Sequence, residues 1–423
     1  QNAFNELQRA LDKTASGEIW VAEGTYKPSA YPTGCTGCAT DRDFTFQLKD
    51  GISLYGGFAG TETMLSQRDI AANPTILSGD IGTVGNASDN VHHVVLAVFA
   101  STTPTTRLDG FTITGGNADV SFSSITVNGE AIYRSIGGGI YTSGGTNTLT
   151  NNSLSGNTAD FGGGILTFQG TNTLTNNSLS GNTAVTGGGI YTDGGTVTLT
   201  NNIIWGNSSG IENSGSTLTV TYSIVQGGFT GEGNLDADPL FVNQPAQGLG
   251  TSGDLRLQAC SPAINAGNDA DVPMGVTTDL DGNARIFDGT VDMGAYELQG
   301  VVPNSLTRYY VDVDATSGNN TGLSWADAFT DLQSALASTC PDITEIWVAE
   351  GTYKPSAYPA GCTGCATNRD FTFQLKDGVS LYGGFAGMET MLNERDIAAN
   401  PTILSGDIGT VGNASDNVHH VVL

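Results

Sequence analysis

The chain of 423 residues carries 42 acidic against 15 basic side chains, a formal net charge of −27. That balance excludes a nucleic-acid binder, which needs a basic footprint, and a partner of anionic membrane surfaces, which would repel it. Apolar residues at 38% exclude disorder, no apolar run is long enough for a transmembrane segment, and the wealth of Gly, Thr, Asn and Ser fits a β-rich, turn-rich extracellular protein.

The first predicted element is a short amphipathic helix with Phe4, Leu7 and Leu11 on one face. Strands follow in "EIWVAEGTYKP", "DGISLYGGFAG", "NPTILSGDI", "NVHHVVLAVF" and "TRLDGFTITGGN", each closed by Gly, Pro or Asn. Cys35 and Cys38 form a CTGC in a Gly/Pro/Thr loop between the first two. The pair reads as a local loop-stapling disulfide, as free thiols, or as metal or redox chemistry. Zinc wants four ligands and no histidine is near, and a redox CxxC opens a helix. His92 and His93 fall in a strand run, where neighbours face opposite sides, so one is expected to point in and the other out. That argues for a structural role over joint metal ligation.

From Thr146 the chain repeats with a period of 25: "TNTLTNNSLSGNTA" recurs at Thr171, and "GTVTLTNNIIWGN" is a third, looser pass. Stacking the passes aligns Leu149, Leu174 and Leu199 in one column, Leu154, Leu179 and Ile204 in the next, and Ile140, Ile165 and Ile190 in a third, each after a GGG triplet. Asn152, Asn177 and Asn202 form a polar column, as do Asn157, Asn182 and Asn207. A unit this short cannot close a core alone, but stacked coils can, at the strand spacing of about 4.8 Å, with Leu and Ile filling the interior and Asn hydrogen-bonding along the stack. The fold class is therefore all-β, a right-handed parallel β-helix. A propeller is the rival, but its blades run longer than this period.

These coils give little chemistry. Asp160 and Asp193 are the only charges from 140 to 210, and no Lys or Arg lies between Arg134 and Arg256. The paired groove carboxylates of a hydrolase, or the calcium-and-base site of a lyase, are missing, so a glycan-cleaving enzyme is the least favoured reading. Trp205, Tyr141 and Tyr191 are candidates for sugar contact, against ordinary packing. Further on, "DLDGNAR" carries Asp279, Asp281 and Asn283 at alternate positions, with Asp292 or Glu297 as further oxygens. A calcium loop and an Asp/Gly-rich turn are the alternatives there. Asp312 and Asp314 in "DVDATSGNN" are a weaker calcium candidate.

At Trp347 the chain starts over. Residues 347–423 repeat residues 20–96 without a gap, with six differences. Before the restart, "WADAFTDLQSALA" places Phe329, Leu332 and Leu336 on one helical face with Asp327 near its start, an expected cap over the first coil. Cys362 and Cys365 copy the CTGC. Cys260 and Cys340 remain, and a bridge between them would link one module's end to the next module's start. The reading is a window of about 1.3 periods of a tandem array: a first module over 1–298, a linker over 299–307, and a second module begun at 308–423.

These motifs resemble bacterial surface proteins with right-handed parallel β-helix repeats. "YYVDVDATSGNNTGLSWADAFTDLQSAL" before "EIWVAEGTYKP" is similar to their usual N-terminal start. "DADPLFVN", "GDLRLQACSPAINAGN" and "TTDLDGNARIFDGTVDMGAYE" resemble the choice-of-anchor Q domain, placing a closing segment at 236–298. The GGG-Ile columns with "NNSLSGN" are similar to polymorphic outer membrane protein repeats. The resemblance implies a secreted or cell-surface protein. The expected function is a long, stiff, acidic fibre or stalk whose modules join end to end with neighbouring copies. An adhesin for surface glycans is the alternative.

Overall fold

The computed structural model describes residues 3–101, 103–248, 250, 253–300, 306–316 and 320–423. The chain divides into two compact units, residues 1–257 with 261–298, and residues 258–260 with 299–423. Of the expected linker over 299–307, residues 301–305 lie outside the described residues.

The first unit is a right-handed parallel β-helix built on three long parallel sheets. Among the described residues, one sheet has seven strands in the order Gly17–Ala22, Ile52–Phe58, Thr105–Asp109, Thr146–Thr150, Thr171–Thr175, Thr196–Thr200 and Thr217–Thr221. A second seven-stranded sheet runs from Gly24–Tyr26 to Ile224–Val225, and a six-stranded sheet runs from Phe46–Leu48 to Ile211–Ser214. Each coil but the last gives one strand to each sheet. The 25-residue period sets the register directly: Leu149 pairs with Leu174 and Leu174 with Leu199, all buried. Ile140, Ile165 and Ile190 stack in the same way.

The repeated "NN" dipeptide performs two tasks. The first asparagine of each pair, Asn151, Asn176 or Asn201, turns the corner at φ of 51, 56 and 57°, a left-handed conformation that Asn tolerates better than other residues with a Cβ. The second points inward. Asn152 donates from its backbone N–H and its Nδ2 to Asn177 Oδ1 at 3.0 and 3.1 Å, and Asn177 does the same to Asn202 at 2.9 and 3.0 Å. The remaining amide proton of each reaches a backbone carbonyl: Leu108 O, Leu149 O and Leu174 O. Every polar atom of a buried amide is thus used, which such a core requires. Asn157, Asn182 and Asn207 form a second ladder. Asn147 and Asn172 form a third, at 3.0 Å, which the sequence columns did not single out.

The GGG triplets solve a crowding problem. Gly137, Gly162 and Gly187 have φ of +69, +64 and +63°, and a Cβ on Gly139 would sit 2.5 Å from Gly164 O. Only glycine fits both constraints.

Helix Leu7–Lys13 buries Leu7 and Leu11 in the main core with Ile19, Phe46 and Leu48. Phe4 lies before the helix and is 51% exposed, so the predicted face begins one turn too early. The second unit shows the same correction. Its helix spans only Leu332–Ala337, with Asp331 capping through Gln333 N, and it buries Leu332 and Leu336 beside Tyr309 and Val311. Phe329 is not helical: extended backbone pairs it with Val311, and its ring meets Tyr309 edge-on at 5.2 Å. The Asp331 cap fixes where the helix starts, and Asp327 lies outside it.

The duplicated sequence meets two surroundings. Ile70 is 2% exposed, but its copy Ile397 is 64% exposed; Leu48 and Leu375 stand at 2% and 47%. In the first unit Ile70 packs under Leu280 and Ala295, and Leu48 pairs with Ala97 and lies in the same core as Leu7 and Leu11.

The ladder has a measurable weight. Asn177→Ala strands the N–H and Nδ2 of Asn152 without an acceptor, so the unfolding free energy should fall by about 2–4 kcal/mol, measured by denaturant titration.

Candidate functional site

Three constructions stand outside the regular coils. The first covers the outer face of the six-stranded sheet. An insertion between coils forms the antiparallel hairpin Ser124–Val127 with Glu130–Tyr133. The CTGC loop docks on it through Thr36 and Thr126, which exchange backbone hydrogen bonds at 2.9 Å. Between hairpin, loop and sheet lies a separate apolar cluster of Leu96, Val98, Ile125, Val127, Ile132, Tyr141 and Leu166, with Cys35 and Cys38 against it. Cys35 is bonded to Cys38, so the disulfide staples the loop that closes this cover. Arg134 ties the parts together, pairing with Asp43 at 2.6 Å and donating to Gly37 O at 2.9 Å. Tyr141 is therefore no sugar platform: the cover buries it to 3% exposure. Tyr191 is half-buried against Phe161 at 5.2 Å, and Trp205 packs against a core under the closing segment.

The second construction concerns the histidines. The expectation that one faces in and one out is corrected: His92 and His93 are both 2% exposed. Regular strand begins only at Val95, and the two residues lie in the bend before it, where alternation does not apply. His92 Nδ1 meets Asn117 O at 3.2 Å and His93 Nδ1 meets Gly137 O at 3.0 Å. Burial pushes both imidazoles down to about 4. Both are structural groups joining neighbouring coils.

The third is the segment 261–298. It runs along the side of the coils instead of only closing their end. Asn201 exchanges hydrogen bonds with the backbone of Asn268, Asn151 Nδ2 donates to Thr278 O, Ala295 N donates to Ser178 Oγ, and Leu280 and Ala295 cover Ile70. Two corner asparagines, Asn151 and Asn201, and Ser178 of the coil between them thus become its docking points.

With little regular structure, this segment is organised by carboxylates. Asp279 Oδ1 accepts from Asp281 N and Asn283 N, and its Oδ2 accepts from Glu297 N. Asp292 accepts from Asn265 N and Leu298 N, both at 2.7 Å. Glu297 accepts from Phe287 N, Asp292 N and Arg285 Nη2, the last at 2.8 Å, with Arg285 and Glu297 both buried. Burial raises Asp279 to about 7 and pushes Asp292 and Glu297 upward as well, against the pull of Arg285 and the backbone donors. Asp281 turns away to Arg256 at 3.9 Å. Asp279, Asp281, Asn283 and Asp292 do not converge as ligands, and among the described residues no group of three or more acidic, His or Cys side chains is placed to hold a metal. The loop is an Asp/Gly-rich turn.

Two further disulfides close, Cys362–Cys365 in the second CTGC and Cys260–Cys340 across 80 residues of sequence. The second joins two cysteines of the second unit, beside the Tyr309 hydroxyl. A loop this long adds about 4 kcal/mol in chain-entropy terms. Asp312 and Asp314 lie in a turn where Asp314 N donates to Asp312 Oδ1. Among the described residues no helix is long and apolar enough to cross a membrane.

Residues 34–226 match the family model described as the right handed beta helix region. The match and the stacked parallel sheets agree on a right-handed parallel β-helix fold for the first unit. No curated protein matches the chain.

These groups give two measurable expectations. Arg285→Ala leaves the Glu297 carboxylate buried without its cation and Asp292 O and Gly294 O without their donor, and should cost about 3–5 kcal/mol, read as a lower thermal midpoint. For His92 and His93 the folded pKa lies below the unfolded one. Their contribution is therefore complete above the unfolded value near 6.5 and is lost as pH falls toward about 4. Each should remove about 1.4 kcal/mol per pH unit across that window, a slope that a non-titrating H92N/H93Q variant lacks in pH-dependent thermal melts.

Proposed function

We propose that this chain is a structural stretch of a long extracellular fibre or stalk on a bacterial surface, built from tandem β-helix modules joined end to end. The observation that carries the reading is the unbroken ladder. One sheet passes from Gly17–Ala22 to Thr217–Thr221 without losing a parallel partner, and the chain then begins the same module again. Continuous ladders resist bending, and each coil extends the solenoid by about 4.8 Å. Three disulfides support an oxidising compartment outside the cytosol. The charge of −27 supports a surface that repels lateral association.

An adhesin is the second reading, favoured by one feature. Phe161, 39% exposed, packs edge-on against Tyr191 of the next coil, a small aromatic patch of the kind that sugars stack on.

Electron microscopy of chains carrying increasing numbers of modules separates the readings when paired with a glycan panel. The fibre reading expects straight rods that lengthen in equal steps per module, and no glycan retained. Flexible beads overturn it. Glycan retention lost in F161A moves the assignment to adhesin.

A further inference from the structure

We propose that the loop from Asp80 to Asn90 is a divalent-cation site of calcium type, present again at Asp407–Asn417. The loop has only two charged side chains, Asp80 and Asp89, both acidic. Each uses one oxygen to hold the loop: Asp80 Oδ2 accepts from Gly85 N at 3.2 Å, and Asp89 Oδ2 accepts from Thr83 N at 2.8 Å and Asn86 Nδ2 at 3.1 Å. The backbone folds closely over Asp89, for a Cβ on Gly82 would lie 2.3 Å from Asp89 Oδ2. Two carboxylates are therefore drawn into one small loop with no cation of its own.

The independent observation is what remains unused. Asp80 Oδ1, Asp89 Oδ1 and Asn90 Oδ1 are all shut off from solvent and have no hydrogen-bond partner. Asn90 is 4% exposed, and its Nδ2 donates to Gly115 O at 2.8 Å. Gly115 lies against the Asp80 backbone, its Cβ position 3.2 Å from Asp80 N, so the Asn90 amide is held beside Asp80 with its oxygen free. An unmade hydrogen bond at a buried acceptor costs about 1–3 kcal/mol, and one cation held by the loop is a partner that could serve all three. All three are oxygens, two of them anionic, and calcium takes such ligands in flexible geometry, completing its shell with water and carbonyl oxygens. The Arg42 guanidinium meets this loop at a backbone carbonyl, Asn90 O, and its other partners are Asn117 O and Asp119.

The repeat keeps the loop's hydrogen bonds and, of the three unpartnered oxygens, one. Asp407 Oδ2 accepts from Gly412 N at 3.0 Å and Asp416 Oδ2 from Thr410 N at 2.9 Å, and Asp416 Oδ1 is again buried and unpartnered.

The test is calorimetric titration of the chelator-treated chain with calcium chloride, with thermal melts in parallel. Wild type should bind at about 1 mM or tighter, the range of extracellular modules, with a higher midpoint in calcium. D80N/D89N/D407N/D416N keeps an amide oxygen for each loop N–H, so its calcium-free midpoint should stay near wild type while binding weakens at least tenfold. N90D adds a carboxylate and should bind tighter. D281N, in the closing segment, should bind as wild type. Absence of binding overturns the proposal and leaves the oxygens to ordered water. So does binding that persists in the fourfold variant or that D281N abolishes. If the fourfold variant fails to fold, N90D decides: binding no tighter than wild type overturns the site.

Discussion

Each coil of the first unit is hydrogen-bonded to the coil before and the coil after, and this pairing fixes the register of everything it carries. A residue must stack on its equivalent one coil away, at a spacing set by the backbone and not by the side chain. Leu on Leu satisfies the constraint by burial. Asn on Asn satisfies it because an amide is both donor and acceptor, so identical groups complete one another along the axis. A charge could not, since like would then face like. The regular coils therefore hold almost no ionic groups, and chemistry is displaced to the insertions between strands. The spacing of ladder partners shows this directly: it is 25 residues within the repeat but 41 where the covering hairpin is inserted, with the strand pairing unchanged on both sides.

The insertions are themselves held by stronger devices. The hairpin and the CTGC loop bury the outer face of a sheet, so that sheet is apolar on both sides over Val95–Val98. The segment 261–298 lacks a ladder of its own and replaces it with Asp279, Asp292, Glu297 and Arg285, a compact ionic core whose acceptors are spent on backbone N–H groups. Carboxylates organise irregular backbone where regular pairing is absent.

Much of this was legible in the sequence for a physical reason. A repeat of fixed length that closes a core only by stacking must show its inward positions as columns, and the Leu149 and Asn152 columns did so. The errors fell where a local rule met a non-local fact. His92 and His93 obey strand alternation only if they are in a strand, and the strand starts two residues later. Tyr141 sits on an outward position, yet a hairpin distant from it in the repeat pattern covers that position. Phe329 completes a helical face on paper, but a cap at Asp331 outweighs one apolar contact. The path of the closing segment along the corner asparagines had no periodic signal at all. Its only trace was the first Asn of each "NN", which a turn alone already explains.

The stretch present twice says something about the order of events in building such a molecule. Trp20 stacks on Phe58 at 4.9 Å, and Trp347 stacks on Phe385 at 4.6 Å, although Ile70 lies under the closing segment and Ile397 does not. The first strand of the module pairs alike in both copies, Trp20 with Tyr55 and Trp347 with Tyr382. Solenoid folding propagates between neighbouring coils, so a coil that pairs locally in this way offers the next turn a finished edge to dock on.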